Sequence, residues 1–483
     1  MTDHSPPPPP PPSASPPAAA HPAAKHTHAE AQAHAAEGSE PSPVSFQEAL
    51  RFWFKLGCIS FGGPAGQIAL MHQELVVRRR WISEPRYLHA LHYCMLLPGP
   101  EAQQLATYMG WLMHGTRGGL AAGALFVLPS LLLFLVLAGA YTAWGAHPGA
   151  QALLWGLKPA VTALVLHAAH RMAQRTLKAR WLWVLASLSL LGMVWGVAFP
   201  WLIFGAAAVG YAIARQRGLS PTGQATAFAS VMPQVSGSNE TAPRAWVNEH
   251  SPSPDHTQFS LPRFWRALAI GLGLWALTLG LLAAVFGWAH TLTQMGLFFT
   301  QAALLTFGGA YAVLPFVTQA AVQQYGWLTA AQMMDGLALG ETTPGPLIMV
   351  VAFVGFLGGH SQALWDTPWL GGLVAACVVT WFTFLPSFVF ILVGGPWVER
   401  TRHMPALTLP LQAITAAVIG VIVYMAGVFA RQTWLPGGWH MLPDLSALLL
   451  TVLATWALVK KDVPVLRVMG ACVALGLLRW AWL

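Results

Sequence analysis

The chain has 483 residues, of which 55% are hydrophobic and only 9% charged, and its formal net charge is +8. A soluble globular protein carries about 25% charged residues, so this composition excludes an ordinary water-facing surface and puts lipid against most of the molecule. The basic residues cluster at the ends of apolar runs, which reads as membrane topology and excludes nucleic acid as the expected partner.

Residues 1–43 open the chain as a Pro/Ala/His-rich tail, with seven consecutive prolines from Pro6 to Pro12. Such a segment buries too little apolar surface to offset its chain entropy and is predicted to be disordered. His21, His26, His28 and His34 read as part of this solvated tail rather than as a metal site. No apolar core of a cleavable signal peptide is visible in it.

The first repeat is predicted over 44–215. It begins with two interrupted elements, about 46–77 and 87–113. Apolar spans follow near 120–142, 152–168, 181–197 and 201–214. A polar linker covers 216–262, and the second repeat, 263–483, starts with an extra span near 267–289. Runs 370–394 and 408–430 are each long enough to cross a hydrocarbon core of roughly 30 Å. Cys58, Cys94, Cys377 and Cys472 lie in apolar stretches with no metal-ligand spacing, so they read as packing residues.

The two halves repeat one another. Ser60-Phe61-Gly62-Gly63 matches Thr306-Phe307-Gly308-Gly309, and Pro98-Gly99-Pro100 matches Pro344-Gly345-Pro346, both 246 residues apart. Trp81 and Trp327 keep that offset, whereas Leu128-Pro129-Ser130 matches Leu385-Pro386-Ser387 at 257. Duplication of this kind is typical of secondary transporters. The fold class expected is an all-α polytopic membrane protein of two homologous, inverted repeats with broken or re-entrant helices. The inversion follows from charge. Arg78, Arg79, Arg80 and Arg86 mark a cytoplasmic loop, while the matching region 324–332 has no Lys or Arg. On this reading the N-terminus is cytoplasmic and Arg431 alone falls outside the pattern.

Glycine and proline break helices, and broken backbone is tolerated in a membrane only where protein or a cavity surrounds it. Each break exposes a helix N-terminus, with unpaired N–H groups and a partial charge of roughly +0.5 that suits an anion. The expected anion-binding set is therefore Ser60, Phe61, Gly62, Gly63, Pro64, Gln67, Pro98, Gly99, Pro100, Gln103 and Gln104 in the first repeat. Thr306, Phe307, Gly308, Gly309, Pro344, Gly345 and Pro346 complete it in the second. Lys158 sits in an otherwise apolar run, and a lysine at membrane depth costs about 2.5–3.5 kcal/mol, so it faces a partner or water, or else snorkels to the interface. Glu341 and Glu101 flank the Pro-Gly-Pro breaks as coupling candidates. A buried carboxylate can carry a proton, while Glu101 also reads as a capping charge at a helix start. Glu74 and Arg78 fit an i, i+4 pair.

The stretch from Ser60–Pro64 through Arg78-Arg79-Arg80-Trp81 to Leu97-Pro98-Gly99-Pro100-Glu101-Ala102-Gln103-Gln104-Leu105-Ala106, with Gly118-Gly119 and Leu128-Pro129-Ser130, resembles the chromate ion transporter family in its long, two-domain form. The resemblance covers essentially all of 46–483. It implies efflux of chromate across the bacterial inner membrane, conferring chromate resistance. Membrane potential or a proton gradient would drive it, with sulfate as a competing analogue. No P-loop and no redox-cofactor motif is present, which disfavours ATP-driven transport, chromate reduction and any cofactor. A sulfate transporter, an anion channel and a membrane-embedded enzyme are the alternatives. The coupling ion and any homo-oligomer stay open at this stage.

Overall fold

A computed structural model describes residues 43–61, 63–216, 245–248, 255–307, 309–362, 365–400, 408–435 and 443–482. The proline-rich tail, most of the polar linker, Gly62 and Gly308 lie outside the described residues. Among those described, the fold is all α-helix, with sixteen α-helices in chain order. Six of them are long and apolar enough to cross a membrane, including Glu101–Trp144, Leu261–Phe286 and Leu409–Trp434.

The first repeat opens with α1 (Phe46–Ile59) and α2 (Gly63–His72), the latter running into a π-helical turn at Gln73–Arg78. Ser45 starts α1 by accepting the Glu48 N–H at 3.2 Å. Helix α3 (Glu84–Leu96) ends at the Pro-Gly-Pro break. Helix α4 (Glu101–Trp144) is two helices joined at His114 and Gly115, where Gly115 takes φ +65°. Helices α5 (Pro148–Thr176), α6 (Arg180–Val194) and α7 (Phe199–Gln216) complete the repeat. Alone, α1, α2 and α3 span only about 15–21 Å at 1.5 Å per residue, too short to cross.

Helix α8 (Leu261–Phe286) is the extra leading element. The pattern then returns as α9 (Thr291–Leu304), α10 (Ala310–Thr318), α11 (Ala330–Thr342), α12 (Val350–Ser361), α13 (Pro368–Arg400), α14 (Thr408–Trp434), α15 (Leu445–Lys460) and α16 (Val465–Trp482). The repeat extends to backbone detail. A second π turn, Gln319–Gln324, stands 246 residues after the first. The Arg79 N–H bonds Glu74 O at 2.9 Å and the Tyr325 N–H bonds Ala320 O at 2.8 Å. Arg80 and Gly326, which follow these turns, both have positive φ, 54° and 63°. The eleven added residues of the second repeat fall where α12 turns into α13. The first repeat makes that turn with His114 and Gly115 alone.

Equivalent long helices run antiparallel. In the second arm of α4, Gly139 packs on Trp369 of α13 and Gly123 on Phe388, so numbers rise along one helix as they fall along the other. A two-fold axis lying along the helices would make equivalents parallel. The axis here is perpendicular to them, and the repeats are inverted, the arrangement of inverted-topology transporters. The interface is reciprocal: Gly156 of α5 meets Cys472 of α16, while Gly210 of α7 meets Ala413 of α14. Inversion puts equivalent loops on opposite membrane faces. In a background without the four native cysteines, Glu84→Cys and Thr329→Cys should react with impermeant maleimide from opposite sides of sealed vesicles. Labelling of both from one side would contradict it.

Arg79 lies over Phe52 and Trp81, 5.0 and 4.9 Å from their ring centroids. The expected pair forms on the same turn, with Arg78 donating to Glu74 at 2.7 Å. Part of the linker docks there too: the Trp246 and Val247 N–H groups bond Arg80 O and Trp81 O at 3.1 and 3.0 Å.

Asp444 caps α15, accepting the Ala447 N–H at 3.1 Å, Trp155 Nε1 at 3.1 Å and Arg479 at 3.0 Å. Burial pushes this carboxyl up, but the hydrogen bonds from Ser446, Arg479, Ala447 and Trp155 prevail and hold it down at about 2. A depressed carboxyl contributes stability that is present above its unfolded pKa of about 4 and is lost as pH falls through the folded value. Asp444→Ala should lower the melting temperature in detergent at pH 7, with a capping loss of about 0.5–2 kcal/mol. The difference from the parent should shrink below about pH 4.

Candidate functional site

The four breaks meet in two crossed pairs. The Gly99 N–H bonds Thr306 O at 2.8 Å, and the Gly345 N–H bonds Ser60 O at 2.7 Å. Each Pro-Gly-Pro of one repeat thus holds the Phe-Gly-Gly break of the other. Ser60 and Thr306 turn their hydroxyls back onto Leu56 O and Ala302 O, both at 2.6 Å. Gly99 and Gly345 take φ +128° and +106°, which L side chains rarely adopt. Gly99 faces Ser387, and Gly345 faces Ser130, so the Leu-Pro-Ser segments of α13 and α4 each cover one break from the opposite repeat.

The chemistry is less symmetric than the backbone. Gln67 is fully buried and donates to Ser60 O at 3.4 Å and to Gly345 O. Gln104 donates to Pro98 O at 2.8 Å, and Gln103 to Thr107 Oγ1 at 2.9 Å. The second repeat has Val313, Met349 and Val350 at the matching positions. Its polar group there is instead Tyr311, whose hydroxyl donates to Glu341. Glu101 starts α4 behind Pro100, and no side-chain hydrogen bond caps that helix.

Of the expected set, the structure brings Ser60, Gln67 and Gly345 together in one group, and Pro98, Gly99, Gln104 and Thr306 in another. Gly63 and Gly309 stand at the starts of α2 and α10 with φ +69° and +96°. Pro64, Pro100, Pro344 and Pro346 flank the breaks, Phe61 is 41% exposed, and Phe307 is half-buried. Gly62 and Gly308 fall outside the described residues. The sequence led us to expect the glycine N–H groups to face an anion. Two of them bond carbonyls of the opposite repeat instead. The donors left are those of the first helical turns, which have no intrahelical acceptor. Buried Gln67 Oε1, Gln103 Oε1, Gln104 Oε1 and Ser130 Oγ also find no partner among the described residues.

Lys158 is not in the cluster. Its Nζ lies 3.8 Å from Asp335 Oδ1 across the repeat interface, so it has a partner and does not snorkel away. Tyr141 donates to the other oxygen of Asp335 at 2.9 Å. Sequence reading missed Asp335, Tyr141 and Tyr311. An aspartate inside the apolar run Met333–Leu339 was the available signal for the first. Tyrosines on apolar helices gave none.

These features define a polytopic α-helical membrane protein of the inverted-repeat, broken-helix class. The chromate transporter family profile matches residues 47–211 and 293–477, and the chain belongs to that family. It is 33% identical over 389 residues to the chromate transport protein of Pseudomonas aeruginosa, covering 79% of this chain and 80% of the relative. It is 28% identical over 438 residues to a probable chromate transport protein of Synechococcus elongatus, covering 90% and 96%. The chromate transport protein of Cupriavidus metallidurans is 27% identical over 392 residues, covering 80% and 84%. No solved structure matches the chain significantly.

Proposed function

We propose that the chain is a secondary transporter that exports chromate across the bacterial inner membrane, with sulfate as a competing analogue and membrane potential or a proton gradient as driving force. The carrying observation is the crossed pair of breaks, in which the Pro-Gly-Pro of each repeat is bonded to the Phe-Gly-Gly break of the other among buried polar side chains. A tetrahedral dianion suits such N–H groups. In this reading the repeats 44–215 and 263–483, joined by the linker 216–262, are the two gating bodies. Ser60, Gln67, Gln103, Gln104 and Thr306 border the anion, and Glu341 with Tyr311 is a coupling element. The N-terminus is cytoplasmic.

Inverted membrane vesicles test this. Radiolabelled chromate should accumulate inside them when they are energised, and sulfate should compete. Vesicles that accumulate no chromate, or accumulate sulfate with no competition from chromate, would refute the assignment. Chemical conversion of the anion without movement would point to an enzyme, and currents that never saturate to a channel.

A further inference from the structure

Lys158 and Asp335 meet away from the breaks. Along α4, Ser130 packs on Gly345, Phe134 on Gly340, and Tyr141 on Asp335, so this helix descends α11 from the cluster to the pair. Thr343 follows Asp335 by eight positions, which separates the two places by about 12 Å. Asp335 is buried, with its side chain 5% exposed, while that of Lys158 is 27% exposed. The 3.8 Å between them is Coulombic contact without a hydrogen bond, and Asp335 Oδ1 has no bonded partner among the described residues. Lys158 of α5 and Tyr141 of α4 are the only titratable groups acting on Asp335 among the described residues. From α12, Phe353 covers the next residue, Gly336.

We propose that this pair is a second anion station, at which a tetrahedral dianion takes over Lys158 and Asp335 leaves the pair by taking a proton. The proposal rests on the transport reading and adds the coupling step to it. One lysine cannot compensate three negative charges in so buried a place, and like charges side by side disfavour joint ionisation. A carboxylate stripped of its cation in low dielectric is neutralised rather than left charged. The proton comes from bulk water, ends on Asp335, and leaves when the anion departs and the pair re-forms. Because Lys158 and Asp335 belong to opposite repeats, this exchange also loosens one contact between the two bodies.

Purified full-length protein in detergent tests this with sodium chromate, at a pH where chromate is a dianion. Binding is followed by equilibrium dialysis and proton uptake by an indicator in weak buffer. The parent should take up close to one proton per chromate bound at this station, falling as pH rises. Asp335→Asn should take up none from this site and bind chromate about fivefold or more tighter, because the competitor for Lys158 is gone. Binding by the parent without proton uptake overturns the proposal. So does an Asp335→Asn protein with the parent's uptake, or one that binds chromate more weakly. Should Asp335→Asn not fold, Asp335→Glu carries the comparison, and it must retain the uptake. A parent that moves no chromate in vesicles fails the transport reading instead, which keeps the two failures apart.

Discussion

Gly99→Ala and Gly345→Ala should each reduce chromate flux by at least about tenfold at normal membrane insertion. At Gly99 the added methyl carbon would stand 2.5 Å from Ser387 Oγ and 2.6 Å from Gln104 Nε2. At Gly345 it would stand 2.4 Å from Ser130 Cβ. Positive φ adds about 1–2 kcal/mol for a non-glycine residue, and overpacking typically adds about 1–3 kcal/mol. Relief at Gly345 requires moving the glycine, and with it the bond to Ser60 O, while at Gly99 it displaces the Ser387 hydroxyl and the Gln104 amide that bonds Pro98 O. The two variants should resemble one another, because the two sites are equivalent across the axis. Gly205→Ala and Gly280→Ala, where a methyl group meets nothing within 4 Å, are the controls. Full flux in the Gly99 and Gly345 variants would mean that the crossed breaks are not part of the transport path.

Lys158→Ala should reduce chromate flux and sulfate competition together, and it should also destabilise the protein. Removing the lysine leaves buried Asp335 without its cation, so that it must take a proton at neutral pH, and breaking a buried pair in this way costs about 3–5 kcal/mol. The double variant Lys158→Ala with Asp335→Asn should regain most of that stability, because no buried carboxyl remains to be protonated. It should not regain flux, because the cation is still missing. Lys158→Arg should keep part of both. Melting temperature in detergent and flux in vesicles, measured on all four proteins, separate pairing from anion binding. Parental flux in the double variant would reduce Lys158 to a structural partner of Asp335.

Much of this was legible in the sequence. Low charge and recurrent apolar runs determined the membrane class. The breaks at 60–63, 97–100, 306–309 and 343–346 were visible because glycine and proline act locally, through backbone geometry and a missing donor. The offset of 246 located equivalent residues before any contact was known. The charge contrast between 78–86 and 324–332 announced the inversion. Only the tertiary structure decided which break meets which. Gly99 finds Thr306, and Gly345 finds Ser60, because an axis perpendicular to the helices exchanges the halves. That axis is a property of packing between segments more than two hundred residues apart, and no local pattern encodes it. Lys158 could be recognised as costly from its surroundings in the chain, but its partner could not. Asp335 lies 177 positions further on, and the closeness of α5, α4 and α11 alone brings it to 3.8 Å.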